Sequence, residues 1–170
     1  MDGRHLALIG MAGVGKSTIA RRVAARLGRD SVDLDAEITT MSGSTVSEIF
    51  ARGGETEFRA IEADALSDVL GRKDPVVIAT GGGVVLTGEN RRLLETHALT
   101  VWLRAELDVL VGRVERSAVA RPLLGGDVAA NMARLVAERE PLYAATADVV
   151  VDVGTLGIED VVERVMEALS

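Results

Sequence analysis

A glycine-rich segment near the amino terminus contains the residues whose types and spacing point most directly to chemistry. In the segment Gly10–Thr18, residues Gly10–Ser17 fit the pattern G-x-x-x-x-G-K-[ST] at every position, and Thr18 follows. Glycines allow a tight turn that directs successive backbone N–H groups inward, at the start of a helix whose dipole also favours negative charge. We therefore predict a phosphate-binding loop, and a chance glycine-rich turn is the alternative.

Two side chains of this loop suit a nucleoside triphosphate and its metal ion. Lys16 is expected to reach the outer phosphates as a point charge, and the Ser17 hydroxyl is expected to ligate a Mg²⁺ that keeps most of its waters. The predicted nucleotide contacts of the loop are Gly13, Val14, Gly15, Lys16, Ser17 and Thr18.

A second anchor for the metal is expected at the end of a strand. The strand predicted at residues 75–80 runs into Gly81-Gly82-Gly83, whereas the one predicted at residues 30–35 ends in Asp33-Leu34-Asp35. We predict that the two side chains point to opposite faces of the strand end, with Asp33 facing the metal and Asp35 facing an acceptor hydroxyl, whose proton it could accept. A solvated acidic strand end is the alternative.

Further candidates lie in the glycine triplet and on a long predicted helix. Gly81-Gly82-Gly83 offers bare N–H groups for close approach of a substrate, although a simple flexible turn is equally compatible. Arg59 has Glu55 four residues before it and Glu62 three residues after it, a spacing that would fix its rotamer. The default meaning of this spacing is a surface salt-bridge ladder.

Two more arginines are candidates for anion binding. Arg121 lies among small residues before Pro122, a composition that suits a mobile flap bringing one charge to the phosphates. Arg139 is expected to end a helix just before Pro141, where it could instead be a cation favoured by the helix carboxyl terminus.

Strands and helices that must position these residues alternate along the whole chain. Apolar runs predict strands at 6–9, 30–35, 75–80, 99–103 and 149–151, and helical spacing predicts helices at 17–27, 36–41, 46–51, 55–70, 89–97, from 106 onward, 127–139 and 158–169. This alternation predicts a parallel sheet with helices on both faces and ligands at the carboxyl ends of the strands.

Composition narrows the class of protein. A chain of 170 residues is most simply one domain, and its lack of cysteine excludes disulfides and thiolate chemistry. The net charge of −7 argues against nucleic-acid binding. No basic segment precedes the first apolar run, and no run approaches the roughly 18 apolar residues of a membrane span. We expect a soluble, cytoplasmic protein that does not bind membranes.

Six segments together resemble the shikimate kinase family, in its order and at its spacing. They are Gly10–Thr18, Asp33–Asp35, Phe58-Arg59, Gly81–Gly83, Arg121–Leu124 and Arg139–Tyr143. The resemblance implies a three-layer α/β P-loop kinase fold, with a five-stranded parallel sheet flanked by helices and a mobile lid. It further implies a single domain over residues 1–170, a substrate-binding region near 33–62 and a lid near 114–126.

The same resemblance implies an activity and the residues for it. The family transfers the γ-phosphate of ATP to the 3-hydroxyl of shikimate, on the route to chorismate and the aromatic amino acids. Carried over by position, the catalytic residues are Lys16, Asp35 and Arg121, the shikimate ligands Asp35, Arg59, Gly82 and Arg139, and the Mg²⁺ ligands Ser17 and Asp33. Arg121 also contacts the nucleotide, and a monomer with ATP and shikimate as its partners is expected.

The sequence departs from the family pattern in two places. Between Arg113 and Arg121, only Arg116 adds a further cation to the lid. The segment Gly154–Ile158 lacks the Arg and Pro often found near adenine in this family, so backbone groups would have to serve there.

Other nucleotide-binding proteins are the competing interpretations. A different small-molecule kinase of the same fold, such as a gluconate or nucleoside monophosphate kinase, is the nearest, but paired arginines suit a carboxylate acceptor, and the Asp-Gly-Phe-Pro-Arg-like segment of many nucleotide kinases is absent. A nucleotide-dependent switch would need Asn-Lys-x-Asp for guanine, whereas Asn90 and Asn131 are followed by Arg91 and Met132.

Overall fold

Five parallel strands form the centre of the molecule. The structure, a computed structural model, describes residues 3–117 and 124–170. Its strands are β1 (His5–Ile9), β2 (Ser31–Asp33), β3 (Val77–Ala79), β4 (Ala98–Arg104) and β5 (Val149–Asp152). They lie in the order β2-β3-β1-β4-β5. The predicted parallel α/β sheet is therefore confirmed.

β1 is the middle strand, and its sequence explains why. All five of its residues are buried, as expected for a strand covered by helices on both faces. Leu8 pairs in register with Ala79 of β3 on one side and with Val101 of β4 on the other. The phosphate loop that follows β1 therefore emerges at the centre of the carboxyl edge of the sheet.

Seven helices of the described chain cover the sheet. They are α1 (Lys16–Leu27), α2 (Leu34–Ser42), α3 (Val46–Leu70), α4 (Gly88–His97), α5 (Leu107–Glu115), α6 (Val128–Thr146) and α7 (Ile158–Ala168), with a 3₁₀ turn at Val84–Leu86. α1 packs against α7, whereas α4 packs against α3 and α6. Buried side chains from all five strands and all seven helices form one hydrophobic cluster.

The acidic segment after β2 is not extended as predicted. β2 ends at Asp33, and the Oδ1 atom of Asp33 accepts hydrogen bonds from the backbone N–H groups of Asp35 and Ala36. Asp33 is thus the N-cap of α2, and Asp35 lies in its first turn. The prediction that placed the two carboxylates on opposite faces of a strand is therefore wrong. Residues i and i+2 of a strand share one face, and here a cap at Asp33 turns the chain into a helix before Asp35.

α3 contains the break that the glycines predict. Thr45 and Glu48 form a capping box at its start. Gly54 has a φ of 67° and a ψ of −163°, so two helical pieces meet there at a kink. The second piece carries Phe58, Arg59 and Glu62.

α6 continues beyond the residue where we predicted its end. Asp127 caps it as expected, by accepting a hydrogen bond from the Ala130 N–H at 3.1 Å, but Pro141 lies inside it. An internal proline costs about 3 kcal/mol. Burial of Tyr143 and Thr146 on the last turns offsets this cost, because most helical stability in proteins comes from tertiary packing. The predicted stop before Pro141 is therefore wrong.

Two further predictions concern regions of the chain. The lid predicted near 114–126 includes residues 118–123, which lie outside the described residues, and so does Arg121. The assignment of residues 33–62 as the substrate-binding region stays a prediction. Within residues 3–117 and 124–170, no helix is both long enough and apolar enough to cross a bilayer.

Candidate active site

The glycine-rich loop connects β1 to α1 in a conformation that requires glycine. Gly10 and Gly13 have φ values of 142° and 88°. A Cβ atom on Gly10 would lie 2.5 Å from the Leu103 carbonyl oxygen, and one on Gly13 would lie 2.9 Å from a methyl group of Val114. The loop is therefore packed closely against β4 and α5, with no room for larger residues at these two positions.

Lys16 is held by its own loop. Its Nζ atom donates hydrogen bonds to the carbonyl oxygens of Gly10 at 2.7 Å and Met11 at 2.9 Å, and the residue is buried. The cleft beside it, here called the phosphate cleft, is lined by Ala12, Gly13, Gly15, Lys16, Ser17, Thr18, Asp35, Thr80, Gly81 and Gly82. Five of the six predicted nucleotide contacts of the loop therefore lie around one cleft.

Val14 lies on the other side of the loop. Its side chain is buried, and its carbonyl oxygen accepts a hydrogen bond of 3.2 Å from Nη1 of Arg113. Nη2 of Arg113 donates to the carbonyl oxygen of Gly154 at 3.3 Å. Arg113 thus joins the phosphate loop to the segment Gly154–Ile158, and it lines a smaller cleft with Val14 and Leu156.

Ser17 and Asp33 meet as predicted for a pair serving one metal ion. The Ser17 hydroxyl donates a hydrogen bond of 2.6 Å to Oδ2 of Asp33. Both are oxygen donors, which suit a hard cation such as Mg²⁺. Within the described residues there is no cluster of three or more acidic or histidine side chains, and an ion that keeps several waters and binds phosphate oxygens does not need one.

A second cleft adjoins the phosphate cleft. This acceptor cleft is lined by Met11, Ala12, Asp35, Val46, Phe50, Phe58, Arg59, Glu62, Gly81, Gly82, Gly83, Leu124, Leu135 and Arg139. It contains all four predicted shikimate ligands. Asp35, Ala12, Gly81 and Gly82 line both clefts, so these residues mark the boundary across which a group could be transferred.

Arg59 is fixed in the wall of the acceptor cleft. Its Nη1 donates to Oε1 of Glu62 at 2.8 Å, and its Nη2 contacts Oε1 of Glu55 at 3.3 Å. The guanidinium lies 5.1 Å from the centre of the Phe58 ring. Its side chain is only 13% exposed, and that of Glu62 is fully buried. The alternative of a surface salt-bridge ladder is therefore wrong.

Glu62 is a site residue that we did not predict as one. Burial raises the pKa of its carboxyl group, and the neighbouring Arg59 guanidinium partly opposes this effect. Oε2 of Glu62 is buried and has no hydrogen-bond partner among the described residues. The sequence shows the i, i+3 spacing between Arg59 and Glu62. It does not show that Glu62 is buried in the wall of the cleft.

Arg139 lies on the opposite wall, inside α6. The residue is 4% exposed, and the helix continues from it to Thr146, so the alternative of a helix-terminal cation is wrong. A Cβ atom on Gly82 would lie 3.1 Å from Nη1 of Arg139. The missing side chain at Gly82 therefore gives this guanidinium its position in the cleft.

Gly83, which lines the cleft, and Tyr143, which contacts Gly82, lie in segments singled out in the sequence but were not assigned as site residues. A Cβ atom on Gly83 would lie 2.2 Å from Nη2 of Arg59, so Gly83 is needed for the observed position of that guanidinium. Tyr143 is fully buried and donates a hydrogen bond through its hydroxyl to the carbonyl oxygen of Gly82. Its spacing of four residues from Arg139 was a usable signal, which the predicted helix end at Pro141 concealed.

The fold and the two adjoining clefts define the class of the protein. A phosphate loop after the central strand, beside a cleft lined by two arginines and a carboxylate, is the arrangement of a P-loop kinase for a small anionic acceptor. The family model described as "Shikimate kinase" matches residues 12–170. This chain belongs to the shikimate kinase family.

Individual relatives agree with the family match. The shikimate kinase of Nitrobacter winogradskyi is 50% identical over 144 residues, which are 84% of this chain and 66% of that one. The shikimate kinase of Bradyrhizobium diazoefficiens is 43% identical over 170 residues, with 99% of this chain and 81% of that one covered. The structure of Acinetobacter baumannii shikimate kinase in complex with shikimate has a TM-score of 0.93 at 30% identity, covering 98% and 92% of the two chains.

These matches confirm the family resemblance, the P-loop kinase fold and the assignment of the chain as an enzyme of the kinase class. The activity predicted from the sequence, phosphorylation of shikimate, is the activity for which the family is named. The roles of individual residues in binding and catalysis stay predictions.

Proposed function

We propose that this chain transfers the γ-phosphate of ATP to the 3-hydroxyl of shikimate, with ATP in the phosphate cleft and shikimate in the acceptor cleft. The observation that carries this proposal is the junction of the two clefts at Asp35, Gly81 and Gly82. Phosphoryl transfer depends mainly on positioning and electrostatic stabilisation, and two clefts with a common wall supply the positioning.

In the phosphate cleft, Gly13, Val14, Gly15 and Thr18 hold the phosphates through the loop backbone and the start of α1. Lys16 exchanges its carbonyl partners for phosphate oxygens and contributes to catalysis as a point charge. Ser17 and Asp33 hold the Mg²⁺, Ser17 directly and Asp33 as the carboxylate that faces the ion. Mg²⁺, when bound, neutralises charge on the phosphates.

At the junction, Asp35 orients the acceptor hydroxyl and takes its proton. The residue lies in the first turn of α2 and lines both clefts, so it is within reach of a group that lies between them. A positioned carboxylate that accepts a proton in the transition state typically accelerates a reaction by about 10² to 10⁴.

In the acceptor cleft, Arg59, Arg139 and Gly82 bind shikimate. Two guanidiniums from opposite walls can grip one carboxylate through several charge-assisted hydrogen bonds. The bare backbone of Gly82 lets the substrate approach closely. Arg121, carried by the lid, completes the nucleotide site and stabilises the transferred phosphate; this role rests on the family resemblance alone.

A comparison of acceptors tests this function. ADP release is measured with ATP and Mg²⁺ in the presence of shikimate, gluconate or a nucleoside monophosphate, each over the same concentration range. We expect turnover with shikimate only. Turnover with gluconate at a comparable kcat/KM would instead favour a gluconate kinase of the same fold, and turnover with a nucleoside monophosphate would favour a nucleotide kinase.

The proposal also includes a cytoplasmic monomer. Only four large hydrophobic residues in the described part of the chain are exposed, and they lie on four different elements, at Met41, Leu107, Val150 and Ile158. Light scattering at assay concentrations should give a mass near the 17.9 kDa of one chain. A mass of twice that value would contradict the monomer.

A further inference from the structure

The glycine triplet that separates the two clefts has no side chains of its own to hold it in place. Glycine loses more conformational freedom on folding than any other residue, so three in a row need anchoring from outside. Two of the three carbonyl groups are bonded locally: Val84 N–H donates to Gly81 O at 3.2 Å, and Leu86 N–H donates to Gly83 O at 3.1 Å. The carbonyl between them belongs to Gly82.

Tyr143, from a distant part of the sequence, donates a hydrogen bond to this middle carbonyl. Its hydroxyl donates to Gly82 O across 61 positions of sequence, and the phenol oxygen also lies 3.5 Å from Sδ of Met11 in the phosphate loop. The ring is buried and packs against Trp102, with ring centres 5.7 Å apart. Tyr143 is therefore a rigid donor behind the junction of the two clefts.

Fixing one carbonyl fixes a whole peptide unit. In a trans peptide the C=O and N–H groups point in opposite directions, so the bond to Gly82 O also sets the direction of the Gly83 N–H. A Cβ atom on Gly83 would collide with Arg59, and one on Gly82 would make a tight contact of 3.1 Å with Nη1 of Arg139. The orientation of this peptide and the positions of both guanidiniums therefore depend on each other.

We infer that Tyr143 is a positioning residue for the acceptor, which holds the Gly82 peptide so that the glycine backbone, Arg59 and Arg139 meet the substrate carboxylate together. The inference rests on the proposed function of the acceptor cleft. Tyr143 lies one helical turn after Arg139, on the same face of α6. One helix therefore carries both Arg139, a proposed ligand of the substrate, and the side chain that holds the Gly82 peptide.

The chemistry of the phenol suits this role. Burial raises the pKa of Tyr143 above its ordinary value, so the hydroxyl stays protonated and remains a donor. The Gly82 carbonyl is an obligatory acceptor. Removing the hydroxyl alone leaves this carbonyl without its donor while the ring still fills its place beside Trp102.

Tyr143→Phe is the variant that tests the inference, and Thr146→Val is its matched control. Thr146 is also a buried hydroxyl on α6, but it donates within the helix to Leu142 O at 2.7 Å and does not line the acceptor cleft. Steady-state kinetics are measured for both substrates, together with Tm. In Tyr143→Phe we expect KM for shikimate to rise about tenfold, the loss typical of one buried hydrogen bond, with KM for ATP within about twofold of the parent.

Thr146→Val should leave both KM values unchanged. The amide ¹H–¹⁵N signals of Gly82 and Gly83 provide a second readout, and they should shift in Tyr143→Phe and not in Thr146→Val. A parent-like KM for shikimate in Tyr143→Phe would overturn the inference, as would equal increases in KM for shikimate and ATP, which indicate a general structural role. A parent enzyme that does not phosphorylate shikimate would refute the proposed function, and the inference with it.

Discussion

Ser17 and Asp33 are joined by a hydrogen bond of 2.6 Å from the serine hydroxyl to Oδ2 of the carboxylate. The other oxygen of the same carboxylate caps α2 through the N–H groups of Asp35 and Ala36. One side chain thus connects the phosphate loop to the helix that carries the proposed base. The proposed metal site and the proposed acid–base site therefore share a support.

Asp33→Asn separates the charge of this residue from its structural role. Asparagine is as good an N-cap as aspartate. With its oxygen in the cap it presents an NH2 group to Ser17, to which the serine hydroxyl can act as acceptor, and it has no charge to offer a cation. We expect the Mg²⁺ concentration needed for half-maximal turnover to rise about 10- to 100-fold with little change in Tm. Asp127→Asn, at the N-cap of α6, is the control and should change neither quantity. Normal turnover of Asp33→Asn at limiting Mg²⁺ would place Asp33 away from the metal.

Asp35→Asn tests the proposed base. The substitution keeps the size of the side chain and removes its basicity, so kcat should fall by about 10² to 10⁴. Asp160→Asn, which alters an acid in the first turn of α7, controls for the loss of a negative charge at a helix amino terminus. If kcat falls by less than about tenfold in a folded variant, Asp35 is only a binding contact.

The two arginines of the acceptor cleft should recognise the carboxylate of shikimate. Loss of one partner of a desolvated charged pair commonly costs about 2 to 5 kcal/mol, so Arg59→Ala or Arg139→Ala should lower kcat/KM for shikimate by roughly 30- to several-thousand-fold. ATP affinity without shikimate should change little. A carboxamide analogue should be a poor substrate for the parent and only slightly worse for either variant. Equal use of the amide and the acid by the parent would refute this assignment.

Gly83→Ala should displace Arg59 without touching it. The added Cβ would lie 2.2 Å from Nη2 of Arg59, closer than non-bonded atoms approach, so the guanidinium must leave its place. We expect KM for shikimate to rise at least tenfold, which lowers kcat/KM for shikimate as Arg59→Ala does. Gly88→Ala is the control, because a Cβ there meets its nearest atom at an ordinary 3.5 Å. An unchanged KM in Gly83→Ala would show that the position of Arg59 is not critical.

Glu62 should make stability depend on pH in an unusual direction. Burial raises the pKa of this carboxyl in the folded protein above its ordinary 4.5, so its contribution to the free energy of unfolding is fully present below that pH and is lost as pH rises through the folded pKa. The difference in unfolding free energy between the parent and Glu62→Gln should therefore shrink from pH 4.5 upward.

Glu163 provides a control of opposite sign. The hydrogen bond from Arg26 lowers the pKa of this exposed carboxyl, so its contribution is present above 4.5 and is lost as pH falls through the lowered value. Urea unfolding of the parent, Glu62→Gln and Glu163→Gln across this range measures both trends. The same slope for the two variants would contradict the buried environment of Glu62.

The sequence was sufficient for the framework and for most of the cleft. The motif at Gly10–Thr18 and the alternation of apolar runs predicted the loop and the parallel sheet, because both signals are local. Asp35, Arg59, Gly82 and Arg139 were found through the family resemblance, and the structure places all four around one cleft. Their roles remain predictions.

What was missed depends on contacts between distant residues. The continuation of α6 past Pro141 follows from the burial of Tyr143, which local propensity does not show. The cap at Asp33 is the exception, because Asp is a preferred N-cap residue and this signal was present in the sequence. The importance of Gly83 appears only when Arg59 is placed beside it in space. Burial similarly separates Glu62 from the exposed Glu55 at the other end of the same ion-pair pattern.

The bonds from Lys16 to the carbonyl oxygens of Gly10 and Met11 make nucleotide binding an exchange rather than a simple addition. Where a phosphate oxygen takes the place of one of these carbonyl oxygens, as proposed, only the difference between the two hydrogen bonds contributes to affinity. Small anions offer few compensating contacts and should compete weakly with ATP. The two carbonyl oxygens leave the charge of Lys16 intact and hold its ammonium group in place, so the cation is already positioned before a ligand arrives.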